Sequence, residues 1–299
     1  MENTPDEADK RFRAEAFRLR LREDLISLRV RFLHRGVPTD TDLRGLADVH
    51  REVMHGLELL KQRHAGRAQP AASTDKGLAD SAVEVVAYNP GWPDAFEAES
   101  AKIRASLGSL AVDVHHVGST SVPGMPAKPI IDMAVAVEPS VLRSYLPECM
   151  GAMTAAGYAY YGNWGHHGGH FFAKSTGTLR TSAAQLHAAD SEDLADLLGF
   201  RDAARADPSV LSDYSQVKVA LASVFARDRG LYVWCKGHWL TNRVVPQGDD
   251  RAWGLQQLRA GHPTLVQLGF RSLVARLRPR FTGRGMHPMA IRNPGRTGT

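Results

Sequence analysis

Three things are scarce in this sequence: cysteine, long apolar runs and, near the C-terminus, carboxylates. Two cysteines in 299 residues, Cys149 and Cys235, cannot make a disulfide framework and show no metal-ligand spacing, so a reducing compartment is expected. No stretch approaches a membrane span, and the N-terminal MENTPDEADKRFRAEAF has no apolar core of the signal-peptide type. The expectation is a soluble, cytoplasmic protein without a membrane partner. Beyond Pro246, nine arginines face Asp249 and Asp250, so this tail accounts for roughly the whole formal charge of +5. Such a tail can attract nucleic acid, although a solvated terminus is the simpler expectation.

What is present is ordinary globular material, 43% hydrophobic and 23% charged. Four regions follow from its texture. Residues 1–67 read as a helical hairpin. Leu19, Leu21, Leu25, Ile26, Leu28, Phe32 and Leu33 stripe the first helix, Gly36-Val37-Pro38 breaks it, and Thr39-Asp40-Thr41-Asp42 can cap the second. Leu46, Val49, Val53, Leu57 and Leu60 then fall at heptad-like spacing, fit to pack on a protein partner, on a second copy, or on the rest of the chain. Residues 68–80 are small and polar and read as a linker. Residues 81–245 alternate strands and helices, which implies an α/β or α+β unit. The expected strands are Val83–Ala87, Ala111–Val117, Ile130–Val137, Gly157–Tyr161, His170–Lys174 and Leu186–Ala189. The expected helices are Asp94–Leu107, Pro139–Ala156, Ser191–Ala206, Pro208–Ala226 and Tyr232–Asn242. Residues 246–299 form the basic tail, with one helical pattern over Leu265–Leu277.

The stretch from His115 to Val137 carries the chemistry. A strand ends at Gly118-Ser119-Thr120, where glycine allows close approach and freed N–H groups with the hydroxyls can hold an anion. In the next strand Asp132 is the lone charge in an apolar run, costly to bury unless something pairs with it. A carboxylate beside a phosphate-gripping turn can hold a divalent ion, and Lys128 between them can neutralise a phosphate. His115 and His116 point to opposite faces of their strand. His166, His167 and His170 lie on a glycine-rich turn whose spacing does not set three ligands on one regular face. Gln185 and His187 share a strand face.

Over Val83 to Leu240 the residues resemble the GrpB family, itself similar to the nucleotidyltransferase superfamily. The matches are Tyr88-Asn89-Pro90-Gly91-Trp92-Pro93 with Phe96, and His116-Val117-Gly118-Ser119-Thr120-Ser121-Val122-Pro123-Gly124 through Ala127-Lys128-Pro129-Ile130-Ile131-Asp132. Further on come Phe171-Phe172, Leu186-His187, Phe200-Arg201-Asp202, Tyr214, Val217-Lys218, Tyr232 and Lys236. The resemblance implies a nucleotidyltransferase-like mixed sheet with flanking helices. It implies Gly118, Ser119 and Thr120 facing phosphates, and His116, Arg180, Lys218 and Lys236 in the cleft. Asp132 and His187 are the implied ligands of Mg2+ or Mn2+, and Lys128 joins them in catalysis. Two departures stand out. The position for a second carboxylate is Ala134, and where the family usually reads His-Leu-His this chain has Gln185-Leu186-His187. Two functions are therefore expected as alternatives. One is metal-dependent nucleotidyl transfer from a nucleoside triphosphate to a small acceptor. The other is a catalytically degenerate module binding a nucleotide or other phosphorylated ligand, regulatory and linked by analogy to coenzyme A metabolism.

Overall fold

The computed structural model describes residues 5–35, 37–74, 77–79, 82–163 and 169–244. The tail with its Leu265–Leu277 pattern, and His166 and His167, lie outside these residues. Two long helices come first, α1 (Pro5–Phe32) and α2 (Asp40–His64). The second starts where its sequence signals, because Thr39 and Asp42 form a reciprocal capping box that satisfies two orphan N–H groups. Arg29 of α1 also reaches Asp42, tying the two helices at the hairpin's turn.

After α2 the chain makes a short strand β1 (Leu78–Ala79), helix α3 (Trp92–Leu107), and strands β2 (Ala111–Val117) and β3 (Ile131–Val137). Helices α4 (Pro139–Ser144) and α5 (Leu146–Ala155) lead to β4 (Ala159–Asn163), β5 (His170–Thr176) and β6 (Leu179–Ala188). Three helices close the described chain, α6 (Glu192–Ala206), α7 (Pro208–Val224) and α8 (Arg229–Val244). The sheet runs β2-β3-β6-β5-β4, with β1 alongside the start of β6. β3 and β6 are parallel and the other neighbours antiparallel, so the sheet is mixed, as expected for an α+β fold. No helix among the described residues is long and apolar enough to cross a membrane.

Several local expectations change. Val83–Ala87 is not a sheet strand; Val86 alone bridges to Ala71 and Ala127. The helix expected over Pro139–Ala156 breaks at Tyr145, because Pro147 lacks an N–H and its ring crowds the carbonyl four residues back. β6 begins at Leu179 rather than Leu186, which puts Arg180 on the strand. The stretch read as a linker is partly structural, since Leu78 and Ala79 pair with Arg180 and Leu179.

Two cores result. On the back of the sheet Met133, Val135, Val137, Ala184, Leu186 and Phe172 pack on α3 and α5. The second core joins the hairpin to the last two helices. Leu19 of α1 and Val49, Val53, Leu57 and Leu60 of α2 cluster with Val217, Leu221, Trp234 and Trp239. The hairpin's apolar seam therefore rests on its own chain.

A cationic cleft at the Gly118 turn

The turn that follows β2 is shaped by glycine. Gly118 has φ +68, a left-handed conformation that costs glycine little. A Cβ there would lie 2.8 Å from Asp132 Oδ2, so glycine also lets the turn close onto the carboxylate. Ser121 Oγ donates to the Gly118 carbonyl at 2.6 Å. From α6, Arg205 donates to the Ser121 carbonyl at 2.7 and 3.0 Å, and Arg201 to the His116 carbonyl at 3.3 Å. Two arginines thus hold the turn through its backbone oxygens. The Tyr214 hydroxyl of α7 lies close to Ser119.

Around this turn four cationic side chains act on one carboxylate, and a fifth, Lys218, lies beside two of them. Burial raises the pKa of Asp132, and Lys236, Lys128, Arg229 and Arg180 oppose that rise. Burial, with Arg229 and Lys236 nearby, brings Lys128 down to about 7. Lys218 is pushed well below its ordinary value by burial and by Lys236 and Lys128. Lys236 is lowered by burial, against the pull of Asp132. Aromatic rings support the cations. Lys128 lies 5.2 Å from the Tyr232 ring centroid, Lys218 4.7 Å from that of Tyr214, and Arg180 5.3 Å from Tyr161 and 5.6 Å from Phe171. Lys218 also donates to the Pro126 carbonyl. Among the described residues none of the cations closes to an ion pair on Asp132, while Gly118, Ser119, Lys128, Asp132, Arg229 and Lys236 all keep partial exposure.

The cleft gathers Gly118, Ser119, Lys128, Asp132, Arg180, Lys218 and Lys236 from the sequence candidates and separates three others. His116 and Thr120 are buried and bond each other at 3.0 Å. His116 stacks on Phe96 with ring centroids 4.7 Å apart, on the back of the sheet. Burial and the two α6 arginines bring its pKa down to about 4, so it is a neutral support beneath the turn. His187 is the larger correction. In the parallel ladder Asp132 stands opposite Ala183, and His187 opposite Ala136. The two side chains share a face but lie four residues apart, about 13 Å along the strands, too far for one ion. His187 is instead buried against Gly169. On that face of β6 Asp132 has Ala183 opposite it, and Gln185, opposite Ala134, is one step nearer to it than His187.

That donor set does not fit a protein-held divalent ion. Its members are one carboxylate ringed by cations, an alanine at the second acidic position, and a glutamine where histidine could ligate. No group of three or more His, Cys, Asp or Glu side chains suited to a metal occurs among the described residues.

Sequence reading passed over Arg229, Arg205 and the role of Tyr214. For Arg229 a signal exists: it precedes Tyr232 and Lys236 by three and seven residues, the spacing of one helix face.

The family profile of the GrpB protein matches residues 82–244. The chain belongs to the GrpB family. The matched GrpB region includes the Gly118 turn, Asp132 and every cation of the cleft, and leaves the hairpin outside. Two relatives are UPF0157 protein YqkA of Bacillus subtilis, 33% identical over 158 residues, and UPF0157 protein BH1888 of Halalkalibacterium halodurans, 32% identical over 157 residues. The matches cover 53% and 48% of this chain, and 45% and 71% of those proteins, so this chain spans under half the length of the Bacillus relative. A protein of Mycobacterium tuberculosis named dephospho-CoA kinase is 32% identical over 129 residues, 40% of this chain and 31% of its own length. The crystal structure of the conserved protein GrpB from Enterococcus faecalis aligns with a TM-score of 0.48 and 27% identity, over 58% of this chain and 97% of that one.

Proposed function

We propose that the cleft binds a phosphorylated small molecule, of the nucleoside triphosphate or coenzyme A precursor class, directly through its cations and without a protein-held metal. The observation that carries this is the clustering of Lys128, Lys236, Arg180 and Arg229 around Asp132 beside the Gly118–Ser119 turn, with Lys218 next to Lys128 and Lys236. Burial first, and repulsion among the cations second, lower the pKa of its lysines. A polyanion reverses that balance, because each phosphate oxygen gains charge-assisted hydrogen bonds. Asp132 then serves as a hydrogen-bond acceptor for a hydroxyl or amino group of the ligand, and repels ligands that set a phosphate against it. The likeness of part of this chain to dephospho-CoA kinases supports including dephospho-coenzyme A among the ligands tried.

Calorimetric titration with ATP, GTP, CTP, UTP, inorganic triphosphate and dephospho-coenzyme A tests this, with and without Mg2+. Binding of at least one of them without metal is expected, weakened tenfold or more by Lys128→Ala, since a charge-assisted contact contributes about 1.5–3 kcal/mol. Binding that requires Mg2+ and disappears in Asp132→Asn would overturn the proposal in favour of metal-dependent nucleotidyl transfer. No binding to any of these anions would overturn it outright.

A further inference from the structure

The first helix carries a second apolar stripe, much of which is exposed among the described residues. One face of α1 packs inward through Ala16, Leu19, Ile26 and Val30. On the opposite side Phe17, Leu21, Leu25, Leu28 and Phe32 recur every three or four residues, about 22 Å along the axis. Phe17 is 37% exposed, Leu25 65% and Phe32 70%, and the stripe runs on through Leu33 at 74% and Val37 at 69%. Scattered single apolar residues need no explanation, but a continuous row does. Beside its C-terminal end lies a groove of about 740 Å³ between α1 and α2, lined by Leu25, Ile26, Leu28, Phe32, Leu33 and Gly45. Its floor depends on Gly45, where a Cβ would meet Ile26 Cδ1 at 2.9 Å.

We propose that this face is a two-fold interface with a second copy of the same chain. Projecting side chains and the groove they would fill sit on one patch, the self-complementarity that a two-fold axis requires. The charges on its rim favour a copy over a polyanion. Arg22 is held by Glu52 at 3.1 Å and by Asp48 at 3.5 Å, Arg29 by Asp42, and Arg18 by Glu15. These arginines are compensated within the hairpin, so the rim neither repels an identical rim nor offers a bare positive field to an anionic surface or acidic peptide. The area is also adequate. The exposed parts of Phe17, Leu25, Phe32, Leu33 and Val37 amount to roughly 600 Å² per chain, against about 800 Å² per partner in a stable interface, and the rim adds the rest.

The test is the mass of the full chain in solution, by sedimentation equilibrium across a concentration series into the high-micromolar range. A two-chain species is expected, dissociating at least a hundredfold more readily in the double variant Leu25→Glu, Phe32→Glu. Both positions face solvent in the single chain, so its circular dichroism and melting should be kept. Val112→Glu changes a residue 52% exposed on β2, far from α1 in sequence and on another element, and should leave the association intact. A wild-type chain that is monomeric throughout, or a dimer that survives the double variant, would overturn the proposal. Sedimentation of a monomeric chain with anionic phospholipid vesicles would assign the stripe to a membrane surface instead.

Discussion

With a pKa of about 7, Lys128 is divided between charged and neutral forms at neutral pH. A bound phosphate stabilises the charged form, so the pKa rises on binding and the complex takes up a proton. Affinity for inorganic triphosphate should be level below about pH 6 and fall as pH rises through 7, until the pKa of the bound state is passed. Calorimetry in buffers of different ionisation enthalpy reads the proton uptake directly, and Lys128→Arg, charged throughout, should flatten the slope. The free protein behaves in the opposite sense. Between about pH 7 and 10 the unfolded chain holds more protons at this lysine than the folded one, so its contribution to stability grows with pH. At this scale Asp132, Lys128, Lys218 and Lys236 were legible because a charge in an apolar run, or one quoted in a family motif, is conspicuous. Arg229 was not, since a single arginine at a helix start has many innocuous uses.

At the scale of elements, legibility followed local chemistry. The caps at Thr39 and Ser191, the break after Val117 and the alternation over Ile131–Val137 were written in adjacent residues, and the corresponding elements form there. Thr39→Ala should therefore lower stability by about 1 kcal/mol or somewhat more, as read by denaturant unfolding, since it also takes a partner from the buried Asp42. Long-range register is what local chemistry cannot supply. Whether His187 or Gln185 stands nearer Asp132 depends on how β3 and β6 align, and a slip of two residues preserves every face while moving the partner by about 7 Å. The misassigned metal pair came from that degree of freedom. Likewise Pro147 divides one expected helix into two, although the apolar spacing continues through the break.

For the whole molecule, the hairpin and the GrpB region share a core, which draws on α1, α2, α7 and α8 together. The seam also contains polar groups. His50 Nδ1 lies 3.0 Å from His238 Nδ1, and Glu23 accepts from Trp234 Nε1. Composition had shown an apolar seam on α2 without naming what it covers, and only the fold assigns it to α7 and α8. The outward residues of α1 were read in the sequence as one stripe with the inward Leu19 and Ile26, because apolar residues stand on both sides of that helix and no single periodicity separates inside from outside.

Helix α8 has two working sides. Trp234 and His238 face the hairpin, while Arg229 and Lys236, roughly half a turn away, face the cleft. A ligand that fixes the cleft side restrains a helix whose other side anchors α1 and α2. Amide hydrogen exchange should therefore slow in the hairpin when the cleft fills, although the ligand touches none of its residues, and Glu23→Gln should weaken that remote protection. The extension outside the family's shared region would then act as a reporter of occupancy, carrying the state of the cleft to the opposite surface of the protein.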